Sequence, residues 1–237
     1  MPFRATRRDS SPDGLLPSVG HSSSRLEAFS DGVLAIAITL LILEVHVPDA
    51  EPGGLAAALA HQWPSYAAYA VTFLVIGIMW VNHHELFDGI AVVTRTLMFL
   101  NLFLLMAIAF LPFPTALMAQ YLREGRNSHI ATAVYGATMT LIGLGFVGLW
   151  WYLSRHPDQM VEGLDADDAR QSMRRALPGP VIYGATIGLA YIWAPACLIV
   201  YAAMGIYFML WRPSQVDEIE GADASGETRD QASSAEA

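Results

Sequence analysis

The stretch RLEAFSDGVLAIAITLLILEV, from Arg25 to Val45, decides how this chain is read. It opens on an arginine, a glutamate, a serine and an aspartate. It then turns almost wholly apolar, with Thr39 in its middle. A helix needs roughly 20 apolar residues to cross a hydrocarbon core about 30 Å thick. The stretch therefore reads as a membrane-spanning helix with a polar cluster at one mouth. The question is why the cluster is there.

The rest of the chain has the same character. Of its 237 residues, 54% are hydrophobic and 15% are charged, too few charges to coat a soluble domain. The expectation is an all-α, multi-pass integral membrane protein with six transmembrane helices. The spans run over about Leu26–Val47, Pro64–His83, Thr96–Met118 and Ile130–Leu153, followed by two short ones at Gly179–Ile192 and Pro195–Trp211. The last two come from one apolar region, Pro178–Leu210, which is too long for one helix. YIWAPAC, with Pro195 inside it, offers the break. One long kinked helix, giving five spans, is the alternative.

Basic residues favour the cytoplasmic side of short loops. With six spans and both termini inside, Arg4, Arg7, Arg8, Arg25, Arg95, Arg155, Arg170, Arg174, Arg175 and Arg212 are cytoplasmic, and only Arg123 and Arg126 are outside. The expected organisation is a disordered cytoplasmic head (1–20), a six-helix transmembrane domain (21–213) and a disordered acidic cytoplasmic tail (214–237). The tail holds seven acids against Arg229, which accounts for most of the net charge of −9. The loop between Ser154 and Arg175 mixes acids and arginines and suits a short surface helix.

Several chemistries find no support. Cys197 is the only cysteine, so no internal disulfide or cysteine-based metal site is available. No basic face suits a nucleic acid. His83 and His84 are adjacent and diverge by about 100° on a helix, unlike the i, i+4 pair of a zinc motif. No nucleophile elbow, phosphate-binding glycine loop or carboxylate pair lies in a span, so the protein is not expected to be an enzyme. The motif around Phe29 does not recur, which weighs against an inverted-repeat transporter.

On the first helix, Ile36, Thr39, Leu40 and Leu43 fall within about 100° of one another and form one stripe. Arg25 and Asp31 point to different sides of that helix, so their partners must come from elsewhere. The end of the second span, WVNHHELF, and Asn101 on the third offer them at the same membrane face. A buried ionisable group near a membrane is costly unless paired, so a polar latch between helices is the plain reading.

These residues also carry a resemblance. RLEAFSDG resembles the first-helix signature of the transmembrane protein 175 family of potassium channels, with Arg25, Phe29, Ser30 and Asp31 in the signature positions. WVNHHELF, with Trp80 three residues before His83, looks like the end of that family's second helix. NLFLLMAIAFLP, Asn101 to Pro112, looks like its third. The resemblance covers about Arg25–Thr115, and the later spans only by number and length.

It implies a homotetramer in a lipid bilayer, with the first helix of each copy lining a central pore. It implies a pore constriction at Ile36, Leu40 and Leu43, ion selectivity tied to Thr39, and a helix-tethering network of Arg25, Phe29, Ser30, Asp31, Trp80, His83 and Asn101. No cofactor and no metal is expected, beyond potassium as the permeant ion among monovalent cations. The activity it implies is a potassium-selective or potassium-preferring passive channel in the plasma membrane. An apolar ring can block ions by dewetting. Glu44, near the outer end, is a candidate for attracting cations or for facing head groups. The residues alone also allow two other readings. One is a proton-coupled transporter relaying through His83, His84 and Asp31. The other is a non-conducting membrane scaffold.

Overall fold

The computed structural model describes residues 20–210, with side chains from Ser24 to Met209. The expected head and tail lie, but for Gly20, outside the described residues. Eight helices follow in order: α1 (Gly20–Leu40), α2 (Leu55–His61), α3 (Trp63–Asp88), α4 (Arg95–Ala109), α5 (Pro112–Tyr121), α6 (Arg126–Leu153), α7 (Ala166–Ala176) and α8 (Pro178–Leu210). Short 3₁₀ turns occupy Leu41–Glu44 and Pro157–Gln159. Five stretches are long and apolar enough to cross a membrane: Ser24–Glu44, Trp63–Asp88, Arg95–Tyr121, Arg126–Leu153 and Ala166–Met209.

The last of these folds back on itself. The backbone leaves helical geometry at Trp193 (φ −156°, ψ 91°). Pro195 has no N–H to give, and its ring crowds the carbonyl four residues back, so a straight helix cannot continue there. On a straight helix Thr186 and Tyr201 would stand about 22 Å apart. Their hydroxyls are 3.0 Å apart. Near the other end, a Cβ on Gly179 would sit 3.3 Å from the Phe208 ring. Residues 178–192 and 194–210 are thus two antiparallel arms of a hairpin, divided where the sequence divides them. Tyr191, Ile192 and Trp193 are exposed at the bend, a composition suited to a membrane interface.

The third span departs from expectation. It is broken at Phe110 and Leu111 into α4 and α5, because Pro112 and Pro114 withhold two backbone donors. The loop after α1 carries the short α2, and the long loop after α6 carries α7. That surface helix begins with a reciprocal cap in which Asp165 accepts from the N–H groups of Asp167 and Asp168, at 2.7 and 3.0 Å. Those bonds hold the Asp165 carboxyl below its usual pKa. The cap therefore stabilises α7 above the ordinary carboxylate range and loses that effect as pH falls through the lowered pKa.

Lipid gives helices no hydrophobic reason to associate, so close packing has to do so. The α6–α8 contact uses glycines two turns apart on one face of α6. A Cβ on Gly136 would meet Thr186 Oγ1 at 2.8 Å and Tyr201 Oη at 3.0 Å, and one on Gly143 would meet Pro180 Cδ at 2.8 Å. The proline ring cannot yield. Gly143→Ala is therefore expected to cost about 1–3 kcal/mol, read as a lower melting temperature in detergent. Gly148→Ala is the control, since nothing lies within 4 Å of its added Cβ.

Candidate functional site: the first helix and its polar tether

α1 has two unlike faces. Ser30, Leu34, Ala37 and Leu41, spaced four, three and four residues apart, are buried against the bundle. The helix packs on α3 and α4 and touches α5. The opposite face is open. Ile36 is 60% exposed, Leu40 41% and Leu43 67%, and Thr39 is exposed between them. The helix tightens to a 3₁₀ turn at Leu41–Glu44. Residues three apart eclipse in that geometry, which sets Leu43 nearly over Leu40.

Thr39 donates its hydroxyl hydrogen back to its own helix, with Ala35 O at 2.9 Å and Ile36 O at 3.0 Å. That is the usual habit of a membrane threonine. It also leaves the oxygen lone pairs as the only polar atoms on an apolar stripe. Glu44 is half-buried at the C-terminal end of the 3₁₀ turn.

At the other end of α1 the polar residues form one chain. Ser30 Oγ donates to Leu26 O at 2.9 Å, using its single hydrogen. Ser30 Oγ must then accept from Asn101 Nδ2, at 2.9 Å. This turns Asn101 Oδ1 toward His83 Nε2, 2.8 Å away. Since Oδ1 only accepts, His83 carries its proton on Nε2 and donates it. All three side chains are buried, and they join α1, α4 and α3 in one layer. Beside them Trp80 Nε1 donates to Asp31 Oδ1 at 2.9 Å, a second tie between α3 and α1 on the exposed side. The His83 ring also stacks on Phe87, with centroids 4.4 Å apart.

Five of the seven expected tether residues are therefore brought together: Ser30, Asp31, Trp80, His83 and Asn101. Arg25 and Phe29 are not. Both are exposed, and among the described residues neither has a hydrogen bond or ion pair to the layer. His84 diverges from His83 as adjacent helical residues must. It lies exposed, its ring parallel to Trp80 and its Nε2 3.6 Å from Asp88. Among the described residues, no three His, Cys, Asp or Glu side chains converge on a point.

A further polar layer was not singled out from the sequence. Deeper in the bundle, Thr115 Oγ1 bonds Thr72 Oγ1 at 3.2 Å, and Thr72 meets Tyr135 Oη at 3.0 Å, linking α5, α3 and α6. Lone hydroxyls inside apolar spans are the signal, but each has so many innocent partners in its own helix that pairing cannot be read from order alone.

The architecture is thus a helical membrane bundle whose first helix is bound on one side by a buried polar layer and open on the other. Residues 25–112, which hold that helix and its partners, match the family described as endosomal/lysosomal potassium channel TMEM175. A potassium channel of Streptomyces collinus is 53% identical over 189 residues, 79% of this chain and 92% of its own length. A potassium channel of Chamaesiphon minutus is 37% identical over 191 residues, 79% of this chain and 94% of its own. The crystal structure of a lysosomal potassium-selective channel TMEM175 homologue from Chamaesiphon minutus aligns with a TM-score of 0.72 at 36% identity, over 80% of this chain and 97% of that one. The chain belongs to the TMEM175 family.

Proposed function

We propose that the protein is a potassium-selective or potassium-preferring passive channel, with the open stripe of α1 as its pore wall. The observation that carries this is the two-faced first helix. Its apolar stripe at Ile36, Leu40 and Leu43 is left uncovered by its own chain, while a buried polar layer fixes the opposite side. The names of the two relatives that the chain covers almost end to end support the ion. They also make it a channel family rather than an enzyme.

In this reading four copies assemble around an axis and turn their stripes inward. A ring of Ile36 then dewets and blocks ions, and a small widening lets it wet. Thr39 offers oxygen lone pairs, its hydroxyl hydrogen being turned back to the helix, to a partly dehydrated cation. The tether holds the ring diameter, since α1 cannot shift without breaking bonds to His83 or Asn101. No cofactor is needed. The arginine distribution supports a plasma-membrane orientation with both termini in the cytoplasm.

The decisive test is potassium flux from purified protein in liposomes, with a valinomycin control, for wild type and Ile36→Asn, then repeated with sodium. A saturable flux that follows a pH gradient would overturn the passive channel. Two further outcomes are expected. Asp31→Ala frees Trp80 at the exposed side of α1, so light scattering in detergent should give a weaker tetramer with unaltered ion preference. Thr39→Val removes the stripe's oxygen and should lower the potassium-to-sodium ratio measured in the same vesicles.

A further inference from the structure

A cavity lies between α3, α6, α7 and α8, with no lining residue from the α1 stripe. Its volume is about 150 Å³. Its interior is apolar. Met139, Ile142, Phe146 and Trp150 line it from one face of α6, over about 16 Å of helix length. Gly205 leaves room where a side chain would stand. Its polar lining is of another kind: Asn82 and Glu85 from α3, Ser172 and Arg175 from α7.

The chemistry of that rim is specific. A carboxylate and a guanidinium, with a hydroxyl and an amide beside them, match a head group that carries both an ammonium and a phosphate. Arg175 lies in the last turn of α7, just before α8 enters the apolar zone at Pro178, so the rim stands at head-group depth. The interior runs from there along α6 into the hydrocarbon. We infer that this cavity binds one acyl chain of a phospholipid whose ammonium-bearing head group rests between Glu85 and Arg175. A free phosphate leaves the apolar interior empty, and a fatty acid gives Glu85 nothing to accept. Phospholipid surrounds the bundle at high concentration, so even a modest affinity fills the site.

The test is photolabelling of the full chain in vesicles doped with a phosphatidylethanolamine carrying a diazirine on its acyl chain. Labelled peptides are mapped by mass spectrometry. Label is expected on α6 around Met139–Phe146 and on α8 around Gly205, about fivefold above the outward face of α4 at Phe99, Phe103 and Met106. Gly205→Leu should reduce it about fivefold. A Cβ there meets only Ile78 and Val75, both at 3.6 Å, so the new side chain starts without a clash. Glu85→Gln, at an exposed rim position, should reduce the label as well. It carries the test if Gly205→Leu does not fold. Label spread evenly over outward faces, or unchanged in every folded variant, overturns the site. Equal labelling by a diazirine fatty acid overturns the head-group assignment. None of these readouts depends on ion flux.

Discussion

Liposomes carrying Ile36→Asn should take up potassium about tenfold faster than wild type, or more. A factor of ten in rate needs only about 1.4 kcal/mol off the barrier. In the proposed ring of four copies each asparagine has to supply only about a quarter of that. The substitution exchanges a 60% exposed branched alkyl group for an amide of similar size, which can hold water where isoleucine cannot. The fold should be indifferent to it, because the side chain touches little of its own subunit. Melting temperature should therefore stay constant while flux rises, a separation that a general loosening of the bundle would not produce. Leu43→Asn, beyond Leu40 on the same stripe, should give a smaller rise. Unchanged flux in both variants would remove the stripe from the pore and leave family membership as it stands.

Asn101→Leu should do the reverse, lowering stability first. Asn101 and Ser30 are fully buried and His83 nearly so, and the Asn101 amide bridges the other two. Leucine fits the volume but leaves the His83 Nε2–H facing an apolar wall. A buried donor left alone costs about 1–3 kcal/mol. Helix-to-helix bonds in membranes sit at the low end, roughly 0.6 kcal/mol on average. Two lost bonds and one orphaned donor make about 2 kcal/mol a reasonable expectation. For a chain of this size that is a melting temperature lower by roughly 4–8 °C. The double variant His83→Leu with Asn101→Leu should lose less than the two single losses added, because it removes the orphan too. Strict additivity in that cycle would mean that the 2.8 Å contact contributes nothing between the helices. Since the layer fixes α1 to α3 and α4, Asn101→Leu should also change flux, whereas Gly143→Ala, far from α1, should not.

Much of this protein was legible in its sequence, and the reasons are physical. Membrane spans must be long, apolar and helical, so hydropathy alone marked them, and Pro195 marked where the last region turns back. The 100° step of a helix put Ile36, Thr39, Leu40 and Leu43 on one stripe, and the motif residues Ser30, Asp31, Trp80, His83 and Asn101 were already grouped at one membrane face. What order along the chain could not decide is who meets whom between helices. Side chains 49 and 71 residues apart bond in the tether, Asp31 with Trp80 and Ser30 with Asn101. That pairing depends on how α1, α3 and α4 rotate against one another. The same rotation leaves Arg25 and Phe29 outside the layer, although they belong to the same short motif. The break of the third span at Phe110, the Thr72–Tyr135 layer and the cavity behind α3 are also tertiary results. Each depends on distances between surfaces, set by glycines and prolines whose effect appears only once a neighbouring helix is in place. Sequence determined which stretches cross the membrane and which face of α1 is apolar. Packing decided that this face stays open while the other is bound.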